Sequence, residues 1–237
     1  MHVDLKNYLD SKGKSLEFKK NPGPVITISR AFGCEATPIA RKLISKINHE
    51  AIDRFSLPWK IVSKEIIDHV AHEFKISAHK VKYVMDLNEI SVFEHSFNAL
   101  EKHYGPTKKN IINGIKGIIW LYANRGQSVI LGRAGAYITR EIPNSLHVRI
   151  NAPIEWRIQR ISEKRQLDEL KACELVMAMD KKRKAWIERI AGKNSEKSIY
   201  DITFNKSSFD EDYIVEAIYE AMISKGMIKN RMVADVL

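Results

Sequence analysis

The sequence predicts an α/β fold: a parallel sheet with helices on both faces, three layers deep, and a helical insert. Three observations carry this. Short apolar runs rich in β-branched residues recur along the chain, at Val25–Ser29, Ser128–Gly132, Leu146–Ile150 and Ile202–Asn205. Segments of helical period separate them, and strands alternating with helices form parallel sheets. From about Pro58 to Asn124 the apolar spacing is helical throughout, which marks the insert.

The first run, Val25-Ile26-Thr27-Ile28-Ser29, follows Asn21-Pro22-Gly23-Pro24 and reads as a buried strand entered from a loop. A turn and then a helix follow. Thr37-Pro38 is a helix start, with Thr37 as the cap and Pro38 in the first turn. Ile39, Leu43, Ile44 and Ile47 give that helix one apolar face. Ala51-Ile52-Asp53 is a weak candidate for a fifth strand. In the insert, the helical positions are Ile61, Val62, Ile66 and Val70, then Val81, Val84 and Leu87, then Ile111, Ile112, Ile115, Ile118 and Ile119. Ser77 and Thr107 are its predicted caps and Gly105-Pro106 a break. The strand Ser128–Leu131 ends at Gly132-Arg133, and Pro143-Asn144 precedes the next. A basic helical stretch over Pro153–Ile190 leads to the last strand and to a helix through Ile214, Ile218 and Met222.

A chain of 237 residues with 44% hydrophobic and 29% charged residues suits one globular domain. No run approaches the roughly 20 apolar residues of a membrane-spanning helix, and the amino end lacks a signal-type apolar core. A cytoplasmic protein with no membrane partner is the expectation. Cys34 and Cys173 stand far apart, so reduced thiols are expected. The net charge of +10 implies attraction to polyanions: nucleic acid, an acidic membrane surface or phosphorylated small molecules. No nucleic-acid-binding signature accompanies the charge, which speaks against nucleic acid as a partner.

In such a sheet, ligands collect at the carboxyl ends of the strands, where helix amino termini present N–H groups to phosphate. The turn there is Arg30-Ala31-Phe32-Gly33-Cys34-Glu35-Ala36-Thr37, which does not match G-x-x-x-x-G-K-[ST]. Residues 30 and 33–37, namely Arg30, Gly33, Cys34, Glu35, Ala36 and Thr37, are the candidate phosphate-contacting set.

An ordered set of motifs over about residues 24 to 220 resembles the bacterial cytidylate-kinase-like family. These are Ile26-Thr27-Ile28-Ser29-Arg30-Ala31-Phe32-Gly33, Val129-Ile130-Leu131-Gly132-Arg133-Ala134, His147 to Pro153 through Trp156-Arg157, Asp180-Lys181-Lys182-Arg183, and Tyr200-Asp201 through Asn205. The resemblance implies a P-loop nucleotide-kinase fold that binds nucleotides and transfers the γ-phosphoryl group of ATP, with Mg2+, to a nucleoside monophosphate. CMP or dCMP is the first candidate acceptor. It also implies a domain over 21–225, a monophosphate-binding insert over about 55–125 and a lid over about 157–193, between an extension (1–20) and a tail (226–237). On that reading Arg133 reaches the monophosphate, Arg157, Arg160, Lys181 and Arg183 are lid cations, and Asp180 orients Arg183 at i, i+3 spacing. Convergent cations suit phosphoryl transfer, which rests on positioning and charge neutralisation.

The family's loop is of Gly-Ser-Gly-Gly-Arg type, whereas this chain reads Gly33-Cys34-Glu35-Ala36-Thr37. A carboxylate beside polyphosphate costs roughly 1 to 4 kcal/mol at about 4 Å. A catalytically silent nucleotide-binding protein is therefore the alternative function. Plainer roles stay open as well: Thr37 as a cap and no more, Arg133 in a salt bridge, Asp180 and Arg183 as an intrahelical ion pair. For His69 and His72 with Glu65, surface residues are the plain reading against a metal cluster.

Overall fold

The central strand, β1 (Val25–Arg30), is buried over its first four residues because it has a neighbour on each side and helices above and below. The computed structural model describes residues 22–50, 57–86, 106–192 and 199–228. β1 pairs in parallel with β3 (Ser128–Leu131), Ile26 opposite Val129, and with β4 (Ser145–Asn151), Ile26 opposite Leu146. β2 (Lys60–Val62) extends the sheet beyond β3, and β5 (Ile202–Asn205) extends it beyond β4. The order is β2-β3-β1-β4-β5, all parallel.

Alternation along the strands sends side chains to two separate cores. Ile26, Ile28, Val129, Leu131, Leu146, Val148 and Ile150 meet α1 (Thr37–Glu50) and α8 (Glu211–Ser224) through Ile39, Leu43, Ile47, Ile214, Ile218 and Met222. On the other face, Val25, Val62 and Ile130 meet α2 (Lys64–Glu73), α3 (Ala78–Asp86) and α4 (Lys108–Arg125), through Ile66, Val70, Val81, Val84, Ile111, Ile115 and Ile119. The three-layer α/β/α class read from the sequence is the observed one. β4 turns no apolar side chains to that second face: Ser145, His147 and Arg149 alternate with its buried aliphatics.

Several local expectations hold. Thr107 caps α4, its Oγ1 accepting from Asn110 N–H at 3.2 Å, and Ser77 Oγ accepts from Lys80 N–H at 3.2 Å. Others need correction. Ile61 and Val62 lie in β2, not in a helix; Val62, Ile66 and Val70 keep a four-residue spacing across the β2–α2 junction, so periodicity runs through it. Pairing to β3 makes the strand, and Asn48 fixes its approach by bonding both the N–H (2.8 Å) and C=O (3.0 Å) of Trp59. The candidate strand at Ala51–Asp53 lies outside the described residues. The basic stretch after Pro153 is two helices, α6 (Ile154–Arg165) and α7 (Glu169–Ala191). They are separated by Gln166 at φ 54° and by Asp168, whose side chain caps α7 by accepting from Lys171 N–H at 2.8 Å. A short helix, α5 (Gly135–Thr139), follows β3. Among the described residues, no helix is long and apolar enough to cross a membrane.

Candidate anion site at the strand ends

The turn after β1 rests on α6. Gly33 sits at φ 92°, where an added Cβ would meet Arg157 Cβ at 3.1 Å and Arg157 O at 3.3 Å. Glycine is therefore required twice here, for its backbone conformation and for the close approach. Arg157 is 8% exposed. Its Nε donates to Ala152 O at 3.1 Å, and its Nη1 donates to Phe32 O at 3.2 Å and to Asp180 Oδ2 at 2.5 Å. The other oxygen of Asp180 accepts from Phe32 N–H at 2.9 Å. One ion pair between α6 and α7 thus holds both backbone polar groups of Phe32. Arg157 is a buttress of the turn in this arrangement, and Asp180 spends its carboxylate on Phe32 and Arg157 in place of a direct bond to Arg183.

Above this buttress four other arginines converge. Arg183 Nη1 donates to Arg30 O at 2.9 Å, and its guanidinium lies 5.4 Å from the centre of the Phe32 ring. Arg165 lies over the same ring at 5.6 Å. The Arg30 guanidinium occupies the space on the α-carbon of Gly132, where a Cβ would stand 2.0 Å from its Nη1. Gly132, Arg133 and Ala134 are consecutive left-handed residues at φ 68°, 57° and 57°. For the two that are not glycine, that conformation costs about 1–2 kcal/mol each. The bend is held by Gly132 N–H to Ile28 O (3.0 Å) and Gly135 N–H to Gly132 O (2.8 Å). Strain of this kind concentrates at functional sites, and here it carries Arg133 to the end of β3, beside β1.

Electrostatics sharpen the grouping. Burial, then Arg183 and Arg133, lower the Arg30 guanidinium to about 10. Burial lowers Arg183 too, with Arg157 and Arg133 adding to the effect and Asp180 opposing it. Desolvated cations that repel one another gain from an anion placed among them. Burial also pushes the Cys34 thiol up to about 11, so it is a neutral packing group under the turn.

The remaining candidates have other surroundings. Glu35 is paired with Lys164 of α6, both partly exposed. Ala36, whose C=O accepts from Ala40 N–H at 2.9 Å, is the residue capping α1, so Thr37 is its first helical residue and not the cap. Arg160 is exposed and lies over the Trp156 ring at 5.5 Å. Lys181 is exposed on α7. The structure thus groups Arg30, Arg133 and Arg183 over a turn braced by Arg157 and Asp180, and leaves Arg160 and Lys181 outside that group. Sequence reasoning missed Phe32, which receives four of these contacts, and Lys164, the partner of Glu35. Phe32 lies inside the turn and was open to notice; for Lys164 only tertiary packing supplies the signal.

The donor set suits a phosphate chain: guanidiniums, and a helix start whose first-turn N–H groups face the turn. For magnesium, no group of three or more His, Cys, Asp or Glu side chains is assembled among the described residues. Thr37 brings one hydroxyl to the start of α1.

Comparison with known proteins places these features. A model of the cytidylate kinase-like family matches residues 25–208. The crystal structure of an uncharacterized protein from Eubacterium ventriosum superposes with a TM-score of 0.58 at 22% identity, covering 85% of this chain and 98% of that one. Shikimate kinase from Acinetobacter baumannii, in complex with shikimate, gives 0.44 at 11% identity over 85% and 94%. Uronate isomerase from Corynebacterium glutamicum is 27% identical over 108 residues, 45% of this chain; the chain spans 21% of that protein's length.

Proposed function

This chain belongs to the cytidylate kinase-like family, and on that premise we propose that it binds nucleotides by their phosphates at the Arg30–Arg133–Arg183 group and transfers the γ-phosphoryl of ATP to a nucleoside monophosphate. CMP or dCMP is the first acceptor to test. The observation that carries the reading is that group itself: two desolvated guanidiniums, Arg30 and Arg183, that repel each other at the carboxyl end of β1, with the charge of Arg133 from the end of β3 acting on both.

The roles follow from the placement. Arg30 and Arg183 neutralise phosphate charge beside the turn, and Arg133, from the strained bend after β3, orients the acceptor's phosphate. Arg157 and Asp180 keep the turn in one shape, so its N–H groups are already set when a ligand arrives. Arg160 and Lys181, exposed here, come to the ligand as lid cations if α6 and α7 close further. Magnesium when bound would screen the β and γ phosphates, held by phosphate oxygens with Thr37 as the side chain in reach of the helix start. The same reading puts the protein in the cytoplasm, where nucleotides and free thiols such as Cys34 and Cys173 coexist.

Calorimetric titration with ATP and with CMP tests the site. Wild type should bind, and Arg133→Ala should bind CMP about tenfold or more weakly, the cost of losing a charged hydrogen-bonding partner. A folded wild type that binds neither nucleotide overturns the reading, as does an Arg133→Ala variant of unchanged affinity. One observation favours a second reading, nucleotide binding without turnover: the turn carries Glu35 where the family carries glycine and has no lysine of its own. ADP formation across a panel of nucleoside monophosphates decides between transfer and silent binding.

A further inference from the structure

The turn after β1 lacks a lysine, yet a lysine arrives from elsewhere in the chain. Beyond β5 the chain enters a turn at Lys206, whose N–H donates to Asn151 O, the end of β4, at 2.7 Å. On the opposite side of β4, Ala31 N–H, the first residue of the turn after β1, donates to Ile150 O at 3.0 Å. Lys206 and that turn therefore flank the same strand end. The Lys206 side chain is 11% exposed, and its ammonium meets Glu211 Oε1 at 3.3 Å. Glu211 is shared, since Lys42 also approaches it at 3.4 Å.

We propose that Lys206 supplies, from the turn after β5, the ammonium group for polyphosphate that phosphate-binding turns ordinarily carry within themselves. A lysine in those turns meets the β and γ phosphates as a point charge on a long stem. Lys206 has the same chemistry at the same end of the sheet, across β4 from the turn, and its stem is covered so that its reach is limited to the space around that strand end. Its field acts on Cys34, at the centre of the turn, in the direction of a nearby cation. The side chain is largely covered and its ammonium is held by a carboxylate that a second lysine also uses, so a phosphate oxygen has a partly compensated donor to recruit.

This rests on the proposed phosphate site, and inorganic tripolyphosphate without metal is the probe that separates the two. Calorimetry on wild type, Lys206→Ala, Lys206→Arg and Lys171→Ala, each checked by thermal melting, should give a loss of about tenfold or more for Lys206→Ala. Lys206→Arg should recover most of it, and Lys171→Ala, which removes an exposed charge on α7, should stay within about twofold. Glu211→Gln should bind more tightly than wild type, because it releases the ammonium without removing it; this arm holds even if Lys206→Ala folds poorly. Equal losses in the Lys206→Ala and Lys171→Ala proteins would reduce the effect to net charge and overturn the assignment. So would an unchanged affinity in Glu211→Gln together with a lower melting temperature in Lys206→Ala. If Arg183→Ala abolishes binding while every Lys206 variant binds as wild type does, this inference fails and the phosphate site stands. If wild type does not bind tripolyphosphate, both fall.

Discussion

Asp180 and Glu35 are both carboxylates near one turn, and their surroundings give them opposite consequences. Asp180 holds Arg157, which is 8% exposed, and the N–H of Phe32. Asp180→Ala strands a buried guanidinium and an amide together, and should destabilise the protein by about 2–4 kcal/mol, seen in urea unfolding. Asp180→Asn keeps one acceptor for Phe32 N–H and should lose less. Glu35 is 41% exposed in its pair with Lys164 at 59%, so Glu35→Gln should change stability by under about 1 kcal/mol. The same substitution removes a negative charge next to the anion site and should raise ATP affinity several-fold at low salt, fading as salt rises. An affinity that falls would mean that Glu35 assists the ligand. At this scale the sequence was informative in residue type: Arg30, Gly33, Arg133, Asp180 and Arg183, all put forward by the motif order, lie around one turn at the strand ends. It was uninformative about partners. Arg157 was expected to face a ligand and instead braces the turn, because whether its guanidinium meets a carbonyl or solvent depends on Phe32, a turn residue more than 120 positions away in sequence.

At the scale of elements, strand and helix types were legible wherever burial is on one face and local. α1 and α4 declare their apolar stripes, and Thr107 declares its cap, whereas the β2–α2 junction does not: Val62 continues the spacing of Ile66 and Val70 although its backbone pairs with Ile130. A three-residue edge strand has too few residues to alternate. The split between α6 and α7 was equally hidden, since Gln166 takes a left-handed conformation that glycine or asparagine ordinarily signals. Asp168 was the available clue, as an N-cap ahead of a helical stretch. Caps also fix what these elements should lose on substitution. Asp210 accepts from Tyr213 N–H at 2.8 Å at the start of α8, and α8 packs against α1 across the first core. Asp210→Ala should cost about 1 kcal/mol, visible as a lower urea midpoint with an unchanged slope; Asp210→Ser should restore most of it.

Across the whole molecule, the two ends of the sheet divide the labour. The carboxyl ends hold the arginines, while nearer the amino ends a buried polar group ties the central strands. His147, 5% exposed on β4, shares 2.8 Å with Thr27 Oγ1 of β1 through Nδ1 and 3.2 Å with Ser145 Oγ through Nε2. Ser145 Oγ already donates to Ile142 O at 2.7 Å, so it accepts from Nε2–H and leaves Nδ1 to accept from the Thr27 hydroxyl. Burial favours the neutral imidazole, and in that form these two bonds satisfy both ring nitrogens. Burial lowers its pKa below the usual histidine value, Lys225 adds to that, and the carboxylate of Asp201, which accepts from the His147 backbone N–H at 2.6 Å, opposes it. With the folded value below the unfolded one, the unfolded chain takes up the proton first as pH falls. The stabilisation is then complete above about pH 6.5 and is lost as pH drops through the folded value. Urea unfolding between pH 7.5 and 5 should show stability falling by up to about 1.4 kcal/mol per unit across the lower part of that window. His147→Gln, which keeps a donor and an acceptor without a titrating group, should be less stable at pH 7.5 but flatter with pH. An equal slope in the variant would place the acid sensitivity in the carboxylates instead.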